Sequence, residues 1–168
     1  MPGWETPRLA VTGGGDRSWK SLPGYPDQMM PQVDVPRPRL RFDEILHESA
    51  PNGRCRVGVR LEWCGRMLDA SSEGLETHHG RIRASAAATL EAALAAAGKR
   101  IHLELLGVKA VRAFDGWVVI VRVAAEAGGR TFRLLGSASC EDERGLEKAA
   151  AHSILDATNR LLERYARG

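Results

Sequence analysis

The chain has 168 residues, 43% hydrophobic and 27% charged, with a formal net charge of +3. That length suffices to bury a core, and no apolar run reaches the extent needed to cross a bilayer. So small a charge balance makes no case for nucleic-acid binding by field alone, and three cysteines without a C-x-x-C pair do not form a disulfide framework.

The first segment, 1–38, holds seven of the eight prolines and the run Gly13 to Gly15, with neither helical nor strand periodicity. It reads as a proline-rich disordered arm. Its start, MPGWETPRLAVTGGG, lacks the cationic and apolar regions of a secretory signal, so the expected compartment is the cytoplasm. Trp4, Trp19, Tyr25, Met29 and Met30 stand as isolated anchors in this polar, proline-stiffened segment. Such anchors suit a docking peptide that fills pockets on a protein partner. The alternative is a leader with incidental aromatics.

From Pro38 the pattern changes. Leu40 and Phe42 alternate with Arg39, Arg41 and Asp43, which predicts a first strand. After the turn signal Ala50-Pro51-Asn52-Gly53, Cys55, Val57, Val59, Leu61 and Trp63 point one way and Arg54, Arg56, Gly58, Arg60 and Glu62 the other. This is a strand with one buried face. A hairpin at Cys64-Gly65-Arg66 returns the chain through Met67, Leu68 and Ala70. Ile82, Ala86, Leu90, Ala93 and Ala97 then line one face of a helix that ends at Gly98.

The plan repeats. Leu103 and Leu105 echo Leu40 and Phe42, and Val119, Val121 and Val123 echo Val57, Val59 and Leu61. Gly129-Arg130 echoes Gly65-Arg66. The helix face returns as Leu146, Ala150, Ile154, Ala157 and Leu161, each 64 positions on. The strands match at offsets of 62 or 63, and the expectation is a second hairpin loop two residues longer. The fold class is therefore α+β: two tandem βββα units, about 39–98 and 99–168, related by a pseudo-twofold, each with an antiparallel sheet packed on one helix.

The copies differ on their outward faces. Arg56, Gly58 and Arg60 of the first become Val118, Ile120 and Arg122 in the second. Two β-branched residues turned outward beside Trp117 predict a covered face. Trp117, Val118 and Ile120 are thus the candidate interface, the alternative being intrachain cover by the other unit or the arm. Arg54, Arg56 and Arg60 are an alternative nucleic-acid surface, but they lack the exposed aromatics of a stacking platform and read as a solvated sheet face.

No constellation combines nucleophile, base and stabiliser, so no catalytic residue, cofactor or metal is assigned and the chain reads as a non-enzyme. His78-His79 and His102 lack metal-ligand spacing, and the adjacent pair reads as a polar loop before a helix. Glu141, Asp142 and Glu143 fall where the second helix begins and suit its dipole. Asn159-Arg160 reads as an exposed polar pair.

From Ala84 onward the order helix, three strands, helix resembles the double-stranded RNA-binding domain, whose closing helix starts with lysines that hold phosphate. Here that helix begins CEDERGLEK, with acids where the family places lysines. Over Leu40 to Tyr165, the two units and the pattern Gly136, Ala157, Asn159 and Arg160 are similar to the C-terminal regulatory domain of 2-isopropylmalate synthase. The family's catalytic barrel has no counterpart here, so the resemblance implies no synthase activity. It implies a module that pairs with another copy and holds a small effector between units. The resulting expectation is an assembly or regulatory module, acting as a homo-oligomer or with a larger protein complex; a metabolite sensor and an RNA-binding module are the alternatives.

Overall fold

The structure, a computed structural model, describes residues 38–165. Strands β1 (Arg41–Ala50), β2 (Arg54–Trp63) and β3 (Arg66–Leu75) form one antiparallel meander followed by helix α1 (His78–Ala97). Strands β4 (Ile101–Ala113), β5 (Gly116–Ala127) and β6 (Arg130–Cys140) form a second, separate meander followed by α2 (Leu146–Tyr165). The fold is α+β, built from two tandem βββα units. Among the described residues, no helix is long and apolar enough to cross a membrane.

The alternation of β2 becomes geometry: Cys55, Val57, Val59, Leu61 and Trp63 are buried against the helices. Val119, Val121 and Val123 do the same in β5. Burying each such side chain contributes roughly 1.5 to 3 kcal/mol. Thr77 caps α1, its Oγ1 accepting from the Gly80 N–H at 3.1 Å, and Gly98, at φ 65°, ends it. The alanine-lined face of α1 packs on β2 and β3, and the helix also runs against α2 and reaches β4. For that reason Ala84, Ser85, Ala88, Thr89 and Ala92, outside the predicted stripe, are buried too. Ser85 Oγ donates to the Glu147 carbonyl at 2.7 Å, tying the helices together.

The duplication extends to detail. Thr89 Oγ1 donates to the Ser85 carbonyl, and Ser153 Oγ, 64 positions later, to that of Ala149, both at 2.7 Å. The first strand of each sheet is bulged at the same place, between Phe42 and Glu44 in β1 and between Leu105 and Gly107 in β4. The expected longer hairpin loop is corrected. Both turns have two residues, Cys64-Gly65 and Gly128-Gly129, all four at positive φ. The extra residues extend the ladder instead, as the added pairs Glu126 with Thr131 and Ala127 with Arg130. The turn stays tight because positive φ at both positions matches strand twist. Lengthening each strand by two preserves which side chains face the core.

Asn159 joins the second unit to the first. Its Oδ1 accepts from the Leu40 N–H at 2.8 Å, and its Nδ2 donates to the Leu40 carbonyl at 3.2 Å. The predicted exposed polar pair is therefore corrected at this position: Asn159 is half-buried and holds the chain entering β1, while Arg160 is exposed. Leu40 is itself buried, so Asn159→Leu strands two backbone groups. The expected loss is about 1 to 3 kcal/mol, read as a lower urea midpoint at unchanged m. An unshifted midpoint would show that water replaces the clamp.

Candidate functional site

The outer faces of the two sheets, the sides away from the helices, differ in chemistry. On the first, each outward arginine of β2 meets carboxylates on neighbouring strands. Arg56 is 2.9 Å from Glu73, which also lies 3.5 Å from Arg54. Arg60 lies 2.7 Å from Asp69 on β3 and 3.3 Å from Glu44 on β1. These hydrogen bonds hold the Arg56 and Arg60 guanidinium groups further toward the charged form and lower the Glu73 carboxyl below its usual range. The three arginines are brought together, but their charge is matched within the sheet, so a phosphate would have to compete with fixed carboxylates. Labelled double-stranded RNA at physiological salt is expected to show no saturable binding to the wild-type protein. Binding that weakens in Arg56→Glu and Arg60→Glu proteins would reinstate the RNA reading.

The second sheet carries no such lattice. Its cross-strand rows are Val111, Val118 and Ser139; then Lys109, Ile120 and Ser137; then Gly107, Arg122 and Leu135. Val118 and Ile120 are half-buried between their neighbours, while Val111 is exposed and Leu135 is 70% exposed. Lys109 and Arg122 form no ion pair among the described residues. No other described strand or helix packs extensively on this face: α2 meets β5 and β6 from the opposite side, and the first unit reaches β4 through α1. At the hairpin tip joining β4 and β5, Phe114 is fully exposed at φ 54°. A bulky residue in that region is strained, by about 1 to 3 kcal/mol.

Trp117 does not share this face. Strand alternation turns it toward the helices, where it packs against the core with its ring 6.3 Å from the His78 imidazole. The candidate interface therefore separates into Val118 and Ile120 on one side of β5 and Trp117 on the other. Trp4, Trp19, Tyr25, Met29 and Met30, with the arm 1–38 as far as residue 37, lie outside the described residues.

A polar cluster that the sequence pattern does not announce sits where β1, β2 and the starts of both helices meet. His47 Nε2 is 3.2 Å from Glu76 Oε2, and the fully buried Cys55 thiol lies 3.4 Å from the Leu75 carbonyl oxygen it donates to. His47 Nε2 or Nδ1, Cys55 Sγ and a Glu76 oxygen all fall within 4.8 Å of one another. Arg81 Nε is 3.5 Å from Glu76 and 3.7 Å from Glu147, buried and without a hydrogen bond to any described residue. Burial pushes the Cys55 thiol above its ordinary pKa, with Glu76 and Glu147 adding to the rise and Gly74 and Arg81 opposing it. His47 and Cys55 are legible in retrospect as residues of one hairpin, but only the bulge in β1 turns His47 to the Cys55 side.

Other sequence candidates serve local structure. Asp142 Oδ1 accepts from the N–H groups of Arg144 and Gly145, at 3.0 and 3.1 Å, so part of the acidic run caps the turn leading into α2. His78 lies 3.8 Å from Glu143, and His102 is exposed on β4. No known protein family and no curated protein sequence matches the chain.

Proposed function

We propose that this protein is a non-catalytic assembly or regulatory module that associates through the outer face of its second sheet. The observation that carries the reading is the contrast between the faces. One has its arginines matched by cross-strand carboxylates, with the exposed Leu46, Met67 and Leu75 held apart by those charged rows, whereas the other brings Val111, Val118, Ile120 and Leu135 together around Lys109 and Arg122, which pair with no described residue. Exposed apolar side chains in one place, with charges left for a partner to meet, favour association over solvation.

A second copy fits these terms. The same face carries Glu104 and Glu126 toward its far end, so a twofold arrangement sets the acids of one copy toward Lys109 and Arg122 of the other. The arm, with Trp4, Trp19, Tyr25, Met29 and Met30, is the proposed docking segment for a further protein. The non-catalytic part draws support from the hydroxyls: those of Ser85, Thr89, Ser153 and Thr158 are buried and donate to backbone carbonyls, which leaves none of them activated.

The metabolite-sensor alternative gains less. Of the residues that carry the resemblance to the synthase regulatory domain, Gly136 and Ala157 lie at a close strand-to-helix contact and Asn159 holds Leu40. The deciding experiment is the solution mass of the full chain with and without Val118→Lys and Ile120→Lys. Loss of the assembly by a folded protein supports the reading, and an unaltered mass defeats it.

A further inference from the structure

We propose that His47, Cys55 and Glu76 form a binding site for a divalent transition metal of the zinc class. They supply an imidazole nitrogen, a thiol sulfur and a carboxylate oxygen, the three donor types that zinc takes from protein. Their donor atoms already lie within 4.8 Å of one another. A tetrahedral ion with arms of about 2.0 to 2.3 Å needs donors somewhat nearer than that. The remaining approach falls to His47 and Glu76, whose side chains are 27% and 26% exposed, while Cys55 is fixed in the core.

The site joins three elements that diverge in sequence. His47 stands on β1, opposite Val57, and Cys55 on β2, opposite Ser49, so the two are diagonal neighbours on the helix-facing side of the sheet. Glu76 arrives from the link between β3 and α1, where its backbone N–H is held by the Gly53 carbonyl at 2.8 Å. Three protein donors leave the fourth position to water or to an added ligand.

Charge balance supports a divalent ion. On binding, the Cys55 S–H bond breaks, sulfur keeps the electron pair and donates it to the metal, and the proton passes to solvent. A thiolate and the Glu76 carboxylate then match two positive charges. Arg81, the one cation facing the site from α1, has Glu147 of α2 at 3.7 Å as its remaining counter-ion. Because binding releases that proton, acid competes with the metal for the sulfur. Metal uptake therefore weakens as the medium is acidified.

The test uses full-length Cys64→Ser/Cys140→Ser protein, stripped with chelator and titrated with cobalt(II). One equivalent is expected to give the visible bands of a tetrahedral ion and a near-ultraviolet sulfur-to-cobalt band. Zinc should erase both. His47→Ala and Glu76→Gln alter partly exposed groups and leave the core intact; each is expected to weaken binding by at least about tenfold, the order seen even for outer-shell changes. Absence of the sulfur band, or affinity unchanged in both variants, overturns the proposal. So does binding that disappears instead with His78→Ala/His79→Ala.

Discussion

Replacing Gly136 by alanine is expected to be among the most destabilising single changes in the second unit. Gly136 is buried on β6 where the strand meets α2, and a Cβ there would fall on the Ser153 carbonyl oxygen, 2.7 Å from the Ala157 nitrogen and 2.8 Å from the Ala157 Cβ. Two of these obstacles are helix backbone, which cannot rotate away as a flexible side chain can. Overpacking of this kind costs about 1 to 3 kcal/mol, occasionally more, and rigid backbone places Gly136→Ala at the upper end. A loss near 3 kcal/mol lowers the melting temperature by roughly 10 °C in a domain of this size. Gly107, in the same sheet but with open space about its Cα, is the control, and Gly107→Ala should leave the midpoint within about 1 °C or 2 °C. Equal effects at the two positions would mean that β6 does not approach α2 as described.

The double change Val118→Lys/Ile120→Lys should abolish association while sparing the fold. Both side chains stand on the face away from the helices and outside the buried core, so the cost to the folded chain is that of weaker strand formers on a sheet surface, about 1 kcal/mol. The cost to an interface is far larger. Two ammonium groups at its centre, next to Lys109, would have to lose water without counter-charges, and truncations or charge errors at such centres cost 2 kcal/mol or more each. The combined effect exceeds about 100-fold in affinity. Sedimentation or light scattering should show a folded protein of monomer mass. An insoluble product would instead mean that the chain's own arm covers this face. Wild-type mass and stability together would remove the face from the account altogether.

Much of the architecture was open to reading from the residue pattern, because strand and helix periodicities are local. Alternation in Cys55 to Trp63 and in Val119 to Val123 marked the buried faces, and the recurrence of Ile82 to Ala97 as Leu146 to Leu161 exposed the duplication. The same pattern also told the arginine-bearing outer face of β2 from the Val118 and Ile120 face of β5. What it left undetermined depended on where strands slip or meet. The bulge at Phe42/Glu44 reverses the sidedness of the rest of β1, turning Ile45 and His47 inward and Leu46 out, and no spacing in the segment announces it. With His47 assigned to its true side, the cluster with Cys55 and Glu76 appears; without it, the three residues are unrelated.

Alternation likewise set Trp117 apart from Val118, yet adjacency in sequence suggested a single surface; its packing near His78 places it with the core. Asn159 and Leu40 are 119 positions apart, so their paired hydrogen bonds could not be inferred from either neighbourhood. By itself the sequence determined the elements, the buried faces of the central strands and the twofold plan, since those follow from the period of apolar residues along each segment. Only the tertiary structure decided which side chains converge, because that depends on bulges, ladder lengths and helix approach, set by contacts between distant parts of the chain.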